Sequence, residues 1–174
     1  MTWKIGKLQS QFLKMINKKS TKKLNNGDLF ELKCLGADEI NKDYIYPLKK
    51  SKFIHYKRYT VEDQKKYVNE IIQSNNKMIM GFYKNKKLIG SSTIHIHKDK
   101  CNFGVYIFSM NERGKGFTNI LIQMILKFSH KELNVKSFFA GSQIINFKST
   151  KSFLKNNFRI YRYQNKSLIL KRQI

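Results

Sequence analysis

Acidic side chains are scarce in this chain. Eleven Asp and Glu stand against 35 Lys and Arg in 174 residues, a formal net charge of +24. Nucleic acid, an anionic membrane surface and an acidic small ligand are all compatible with such an excess. Lysine carries most of it, whereas arginine is the commoner choice for specific phosphate reading. The charge is therefore read as long-range attraction for anions, and no stable nucleic-acid complex is expected. No RNA-recognition aromatic motif, zinc pattern or helix-turn-helix signature is evident either. Only two cysteines are present, Cys34 and Cys101. They form no disulfide framework and no metal pair, so no metal is expected and a reducing cytoplasm is the expected compartment. No run of eighteen apolar residues occurs, which excludes a transmembrane helix of ordinary length. The start, Met1–Lys7, lacks the apolar block of a signal peptide. Proline occurs once, at Pro47, and no linker rich in Pro, Gly and Ser divides the chain.

What is present suits one globular domain. Hydrophobic residues make up 41%, and the length is enough for a full core. Residues 1–27 read as a basic N-terminal extension, with Ile5, Leu8, Phe12, Met15 and Ile16 at helical spacing before the lysine- and asparagine-rich run Asn17–Asn26. The domain is expected over 28–174. Phe30–Cys34 reads as a strand and Asp38–Leu48 as a short helix stopped near Pro47. Thr60 caps a helix with acids in its first turn and Tyr67, Val68, Ile71 and Ile72 on one face. Ile79–Tyr83 and Leu88–His97 form a hairpin, and Asn102–Phe108 a central strand. Ser137–Gly141 is a further strand, Asn146 caps a helix to about Asn156, and Arg159–Tyr163 with Ser167–Leu170 close the chain as a hairpin. This order predicts a three-layer α/β/α arrangement of the α+β class with a mixed sheet.

The most informative stretch runs from Asn111 to Phe128. Apolar residues at Phe117, Ile120, Leu121, Met124, Ile125 and Phe128 follow the helical series i, i+3, i+4, i+7, i+8, i+11. The central strand enters this helix through Arg113-Gly114-Lys115-Gly116. The first amides of a helix lack intrahelical partners and its dipole is positive there. Two glycines let a ligand approach the backbone, and two cations add charge. The expected guest is a phosphate or pyrophosphate. Neither the Gly-Lys-Ser/Thr loop of triphosphate-binding proteins nor a third dinucleotide glycine is present.

The bend resembles the Arg/Gln-x-x-Gly-x-Gly/Ala loop of the GCN5-related N-acetyltransferases, the GNAT superfamily, with Arg113, Gly116 and Thr118 on its three positions. Thr118 departs from Gly/Ala. A second segment, Asn146-Phe147-Lys148-Ser149 running to Asn157-Phe158, is similar to the Asn-x-x-Ser…Gly-Phe segment of the family. Asn157 stands where Gly is usual, a mild change because Asn tolerates the left-handed helix end. Asp43-Tyr44, Thr60–Val68, Gly81-Phe82 and Ile89-Gly90 resemble the RimJ/RimL-like and sugar N-acetyltransferase branch. The resemblance covers about residues 28–170. It implies the GNAT fold, acetyl-CoA (coenzyme A) as cosubstrate and an amine acceptor. It also implies cofactor contacts at Ile107, Phe108, Ser109, Arg113, Gly114, Lys115, Gly116, Phe117, Thr118, Asn146 and Ser149, the amides of 107–109 polarising the thioester carbonyl.

The base is the weak point. Many relatives carry a glutamate where this chain has Asn102, and Asn102 cannot take a proton. Deprotonating a lysine-like amine at pH 7 costs roughly 4.6 kcal/mol. A sugar amine is less basic, which favours an amino-sugar acceptor, one carrying a nucleotide and so anionic. His95 and His97 share a strand face and are the alternative bases, against the plainer reading of exposed strand histidines. Phe153 occupies the position of a relative's tyrosine acid, leaving Ser149 or water. Tyr44, His55, Tyr56, Arg58 and Asn102 are the acceptor candidates, Arg58 as a grip for phosphate. Acetylation of a protein N-terminus or lysine is the alternative within the fold. A basic nucleic-acid-binding domain is the non-enzymatic one. A homodimer is compatible with each.

Overall fold

The computed structural model describes residues 17–53 and 60–174. Among these, one sheet of eight strands runs in the order β1-β2-β3-β4-β5-β6-β8-β7. The strands are β1 (Lys19–Lys23), β2 (Leu29–Cys34), β3 (Lys77–Lys84), β4 (Lys87–His97), β5 (Lys100–Ile107), β6 (Ser137–Gln143), β7 (Arg159–Gln164) and β8 (Ser167–Gln173). Only β5 and β6 pair in parallel; the other neighbours are antiparallel. Helices α1 (Lys42–Lys49) and α2 (Val61–Ile72) lie on one face, and α3 (Phe117–Leu133) and α4 (Phe147–Lys155) on the other. The expected three layers and mixed sheet are present.

Two cores follow from strand alternation. Phe30, Leu32, Met80, Phe82, Ile94, Phe103 and Phe138 meet Phe117, Leu121, Met124, Ile125 and Phe128 of α3 and Phe153 of α4. On the opposite face Leu35, Ile79 and Phe108 meet Tyr44, Ile45 and Leu48 of α1 and Val68 and Ile71 of α2. Each large side chain fully removed from water contributes about 1.5–3 kcal/mol. In α3 Ile122, Leu126 and Ser129 are buried too, a wider buried face than one stripe, because β1, β2, β5 and α4 all pack against it.

Three elements differ from the sequence reading. Lys19–Lys23 is a strand, paired from Lys19↔Lys33 to Lys23↔Leu29, so the boundary expected at residue 27 falls inside a hairpin. Its KSTKK sequence carries no apolar face to announce it, and backbone pairing with β2 makes the strand. The expected apolar helical face at Ile5–Ile16 lies outside the described residues. The helix expected from Asp38 begins at Lys42, because the Asn41 side chain accepts from the Tyr44 amide and sets the cap there. Asp38 instead sits in a 3-10 turn, and Pro47 lies within α1 rather than ending it. On α2 the buried face is Gln64, Val68 and Ile71, while Ile72 is exposed.

The Thr60 cap is as expected: its hydroxyl accepts from the Asp63 amide at 3.0 Å, and Asp63 accepts from the Thr60 amide at 3.3 Å. Asn157 takes the left-handed conformation at φ +61°.

Candidate functional site

β5 and β6 pair only at Lys100↔Ser137, Cys101↔Phe138 and Asn102↔Phe139. Beyond Asn102 they splay, because β5 stays with β4 as far as Gly90↔Ile107. Gly90 permits that approach: a Cβ there would stand 2.7 Å from the Tyr106 carbonyl oxygen. β6 follows β8 instead, through Gln143↔Ser167. Strand alternation turns every second N–H of β5 away from β4. Phe108 points to β4, so Val105 and Ile107 point into the splay, where no described strand lies opposite them.

A cleft of about 670 Å³ opens at this splay. Its floor is Gly104, Val105 and Tyr106 on one side and Gly141, Ser142 and Gln143 on the other. Tyr44, Leu48, Gln64 and Tyr67 wall it from α1 and α2, Ser91 and Thr93 from β4, and Asn146, Ser149 and Phe153 from the α4 segment. None of its described lining residues is Asp, Glu, His, Lys or Arg. The Tyr44 hydroxyl lies 3.3 Å from that of Ser91. The cleft is thus a chamber of hydroxyls, amides and aromatic rings.

The glycine bend lies at the end of β5. Gly114 and Gly116 adopt φ +80° and +81°, and a Cβ at either would meet nothing within 4 Å. Residues 113–116 are exposed. Gly116 is the N-cap of α3 and offers no side chain to its first amides. An open, uncapped helix start is an anion cradle. Phe117 is buried against Phe30 at 4.9 Å, so its backbone alone faces the cradle. Thr118 is half-buried in the first turn.

The two cations of the bend are already engaged. The Arg113 Nε donates to the Ile107 carbonyl at 2.9 Å and its terminal nitrogen to the Tyr106 hydroxyl at 2.6 Å. Arg113 braces the strand end instead of reaching outward. Lys115 pairs with Glu112 at 3.3 Å, and Glu112 also meets Lys84 at 3.6 Å.

Other sequence candidates fall as follows. Ile107 and Phe108 are buried core residues and Ser109 is half-buried. The Phe108 and Ser109 amides both donate to the Ile89 carbonyl at 3.1 Å. They are committed to β4, which corrects the expectation that they polarise a carbonyl; Val105 and Ile107 carry the amides that face the splay. Asn146 caps α4, its oxygen accepting from the Ser149 amide at 3.2 Å, and both residues line the cleft. Tyr44 lines it as expected.

His95 and His97 do not line the cleft. His95 is half-buried with its Nε2 3.0 Å from the Asn76 side chain, and His97 is exposed at the end of β4. They lie on the expected face but at the far end of the strand. Asn102, at the last β5–β6 pair, lines a second, smaller cavity beside His95. His55, Tyr56 and Arg58 lie outside the described residues. Gln64, Tyr67, Ser91, Tyr106 and Gln143 escaped the sequence reading. Ser91 shares the Thr93 face by alternation and was findable; Gln64 and Tyr67 look like ordinary helix residues until α2 is placed over the splay.

Compared by sequence, the chain matches no family model and no curated protein. Compared by structure, it is similar to Campylobacter jejuni N-acetyltransferase PseH in complex with acetyl coenzyme A. That likeness has a TM-score of 0.65 and 23% identity, over 82% of this chain and 98% of that one. It is similar to Mycobacterium smegmatis RimJ in complex with a CoA-disulfide at TM-score 0.76 and 11% identity, covering 90% and 87%. A spermidine N-acetyltransferase SpeG chimera from Vibrio cholerae and hSSAT gives TM-score 0.71 and 19% identity, covering 83% of this chain and 95% of that one. These likenesses show the GNAT fold, as the bend and the Asn146 segment implied.

Proposed function

We propose that this chain transfers an acetyl group from acetyl-CoA to a primary amine, the amine of a nucleotide-linked amino sugar. One observation carries the reading: the β5–β6 splay opens into a walled cleft whose Tyr106 is hydrogen-bonded to Arg113 of the uncovered glycine bend at the start of α3. The fit to acetyl-CoA rests on the same features. The bend lacks Cβ atoms at Gly114 and Gly116, where a diphosphate can approach the backbone. The splay leaves the N–H of half-buried Val105 with no described strand opposite it, open to an extended, amide-bearing arm. The neighbours solved with acetyl coenzyme A and with a CoA-disulfide share the fold.

Acetyl-CoA supplies the activated acyl group: the C–N bond forms as the C–S bond breaks, and the acceptor nitrogen gives up a proton. The amides from Gly114 to Thr118 and the α3 dipole hold the diphosphate. The N–H groups of Val105 and Ile107 pair with the arm and polarise the acyl oxygen, an effect worth several kcal/mol when donors are fixed in advance. Asn146, with its oxygen committed to the α4 cap, donates its NH₂ to the same ligand. α1 and α2 exclude bulk water above the reacting atoms.

The neutral wall supports the acceptor class. A spermidine or lysine ammonium requires a carboxylate to hold it and a base to discharge it. The described lining contains neither, its titratable groups being Tyr44, Tyr67 and Tyr106. A hydroxyl-rich amine of low basicity suits Ser91, Thr93, Gln64 and Gln143, and water in the cleft takes its proton. Phe153, buried against Phe103 and Phe158, offers no acid, so the leaving thiolate takes its proton from Ser149 or water.

Thiol-release turnover with acetyl-CoA against free amino sugars, nucleotide-linked amino sugars, N-terminal peptides and polyamines tests this. The reading expects the highest kcat/KM on a nucleotide-linked amino sugar. Faster turnover of a peptide or polyamine would contradict the acceptor class. No thiol release with any amine, and no acetyl-CoA binding, would contradict the reaction.

A further inference from the structure

The cleft does not end under the helices. A second cavity of about 290 Å³ lies against the same sheet face, lined by His95, Asn102, Phe139 and Ile169 among others. The two cavities share Thr93, Gly104 and Gly141. They are one groove, covered by α1 and α2 at the splay and open beyond it.

Two features show that the groove is kept clear. Gly104 and Gly141 each lie two residues beyond the last β5–β6 pair, Asn102↔Phe139, neither has a positive φ, and a Cβ at either would meet nothing within 4 Å. Backbone conformation and packing therefore do not require glycine at these positions, although glycine in mid-strand costs stability. What a side chain would occupy is the groove itself. From Tyr106 to Asn102 the floor runs four residues, roughly 13 Å, too long for a single sugar ring.

The open end has its own chemistry. Phe139 is half-buried there and packs edge-on to Tyr161 at 5.9 Å. The Lys171 ammonium lies 5.7 Å from the Phe139 ring centre and 5.5 Å from that of Tyr161. Arg162 lies 5.9 Å from the Tyr161 ring. Neither cavity has Asp or Glu among its described lining residues. Aromatic faces with cations beside them and no carboxylate accept a planar ring carrying phosphate.

We propose that this open end is a nucleotide subsite: the remote part of the acceptor crosses Gly104 and Gly141, its base stacks on Phe139, and its phosphates meet Lys171 and Arg162. The proposal rests on the reading of the covered end as the acceptor cleft. It adds that recognition of the handle is separate from recognition of the amine. His95 and Asn102, unsuited as bases here, become polar partners for the base edge.

The test is calorimetric titration of the CoA-saturated protein with UDP, dTDP and GDP. At least one is expected to bind. Gly141→Val is expected to weaken that binding tenfold or more, and Phe139→Ala and Lys171→Gln several-fold each. CoA affinity should be unchanged in Phe139→Ala and Lys171→Gln, which lie outside the covered cleft, and the thermal midpoint of Gly141→Val shows that it folds. The proposal is overturned if none of the three diphosphates binds the CoA-loaded protein, or if the three variants bind them as the parent does. It is also overturned if an oligouridylate binds and the mononucleotides do not, since the surface would then serve nucleic acid. Failure of CoA itself to bind is a different result and contradicts the acetyl-transfer reading instead.

Discussion

Arg113 and Tyr106 are joined at 2.6 Å, guanidinium to hydroxyl, and the same hydroxyl donates to the Pro47 carbonyl at 2.7 Å. One oxygen therefore ties the glycine bend, the end of β5 and the last turn of α1 together. The arginine expected to hold phosphate directly holds the bend in shape instead.

Tyr106→Phe tests that tie. It removes one donor and one acceptor while keeping the ring against Arg113, whose guanidinium lies 5.2 Å from the ring centre. A net loss of about 0.5–1.5 kcal/mol in stability is expected. The KM for acetyl-CoA should rise several-fold as the bend loosens, with kcat within about threefold. An unchanged KM would show that the bend holds its shape without the link.

Asn157 carries φ +61° at the end of α4. Asn157→Ala is expected to cost about 1 kcal/mol, because alanine lacks the local hydrogen bonding that makes this conformation tolerable for asparagine. Asn157→Gly should equal or exceed the parent. The thermal midpoints of the two variants measure this, and equal midpoints would contradict it.

Burial raises the thiol of Cys101 to about 12 and that of Cys34 to about 11, from an ordinary 9.0. A thiol whose folded pKa is raised stays protonated while the unfolded chain loses its proton. The unfolded state then binds fewer protons, so stability is full below pH 9 and falls as pH climbs from 9 toward 11 and 12. Cys101→Val should flatten part of that alkaline slope in denaturant melts at pH 8–11. The same burial predicts that thiol reagents used to follow CoA release react slowly with the native protein. An identical alkaline slope in parent and variant would contradict the burial argument.

The legible parts of this chain were those written in local chemistry. The spacing from Phe117 to Phe128 announced α3, and Thr60 with Asp63 announced the start of α2. Gly114 and Gly116 announced an open bend. Alternation placed His95 and His97 on the cleft face of β4. It could not say how far along that strand the splay begins, because that depends on where β6 leaves β5. The same limit hid the role of Gly104 and Gly141, two ordinary-looking strand glycines until the strands are side by side. β1 was hidden for another reason: its KSTKK sequence alternates in exposure without an apolar face, so only pairing with β2 defines it. The loss of the Phe108 and Ser109 amides to Ile89 is likewise a matter of register, set by the close approach at Gly90.

The account depends most on the bend before α3 as the seat of a diphosphate. Calorimetric titration of acetyl-CoA into the parent and into Gly116→Glu, with Gly116→Ala as the control for backbone strain, tests this most directly. The parent is expected to bind in the micromolar range and Gly116→Glu at least a hundredfold more weakly, since it sets a carboxylate where the phosphates belong. Gly116→Ala should fall between them. Equal affinity in the parent and Gly116→Glu would contradict the account.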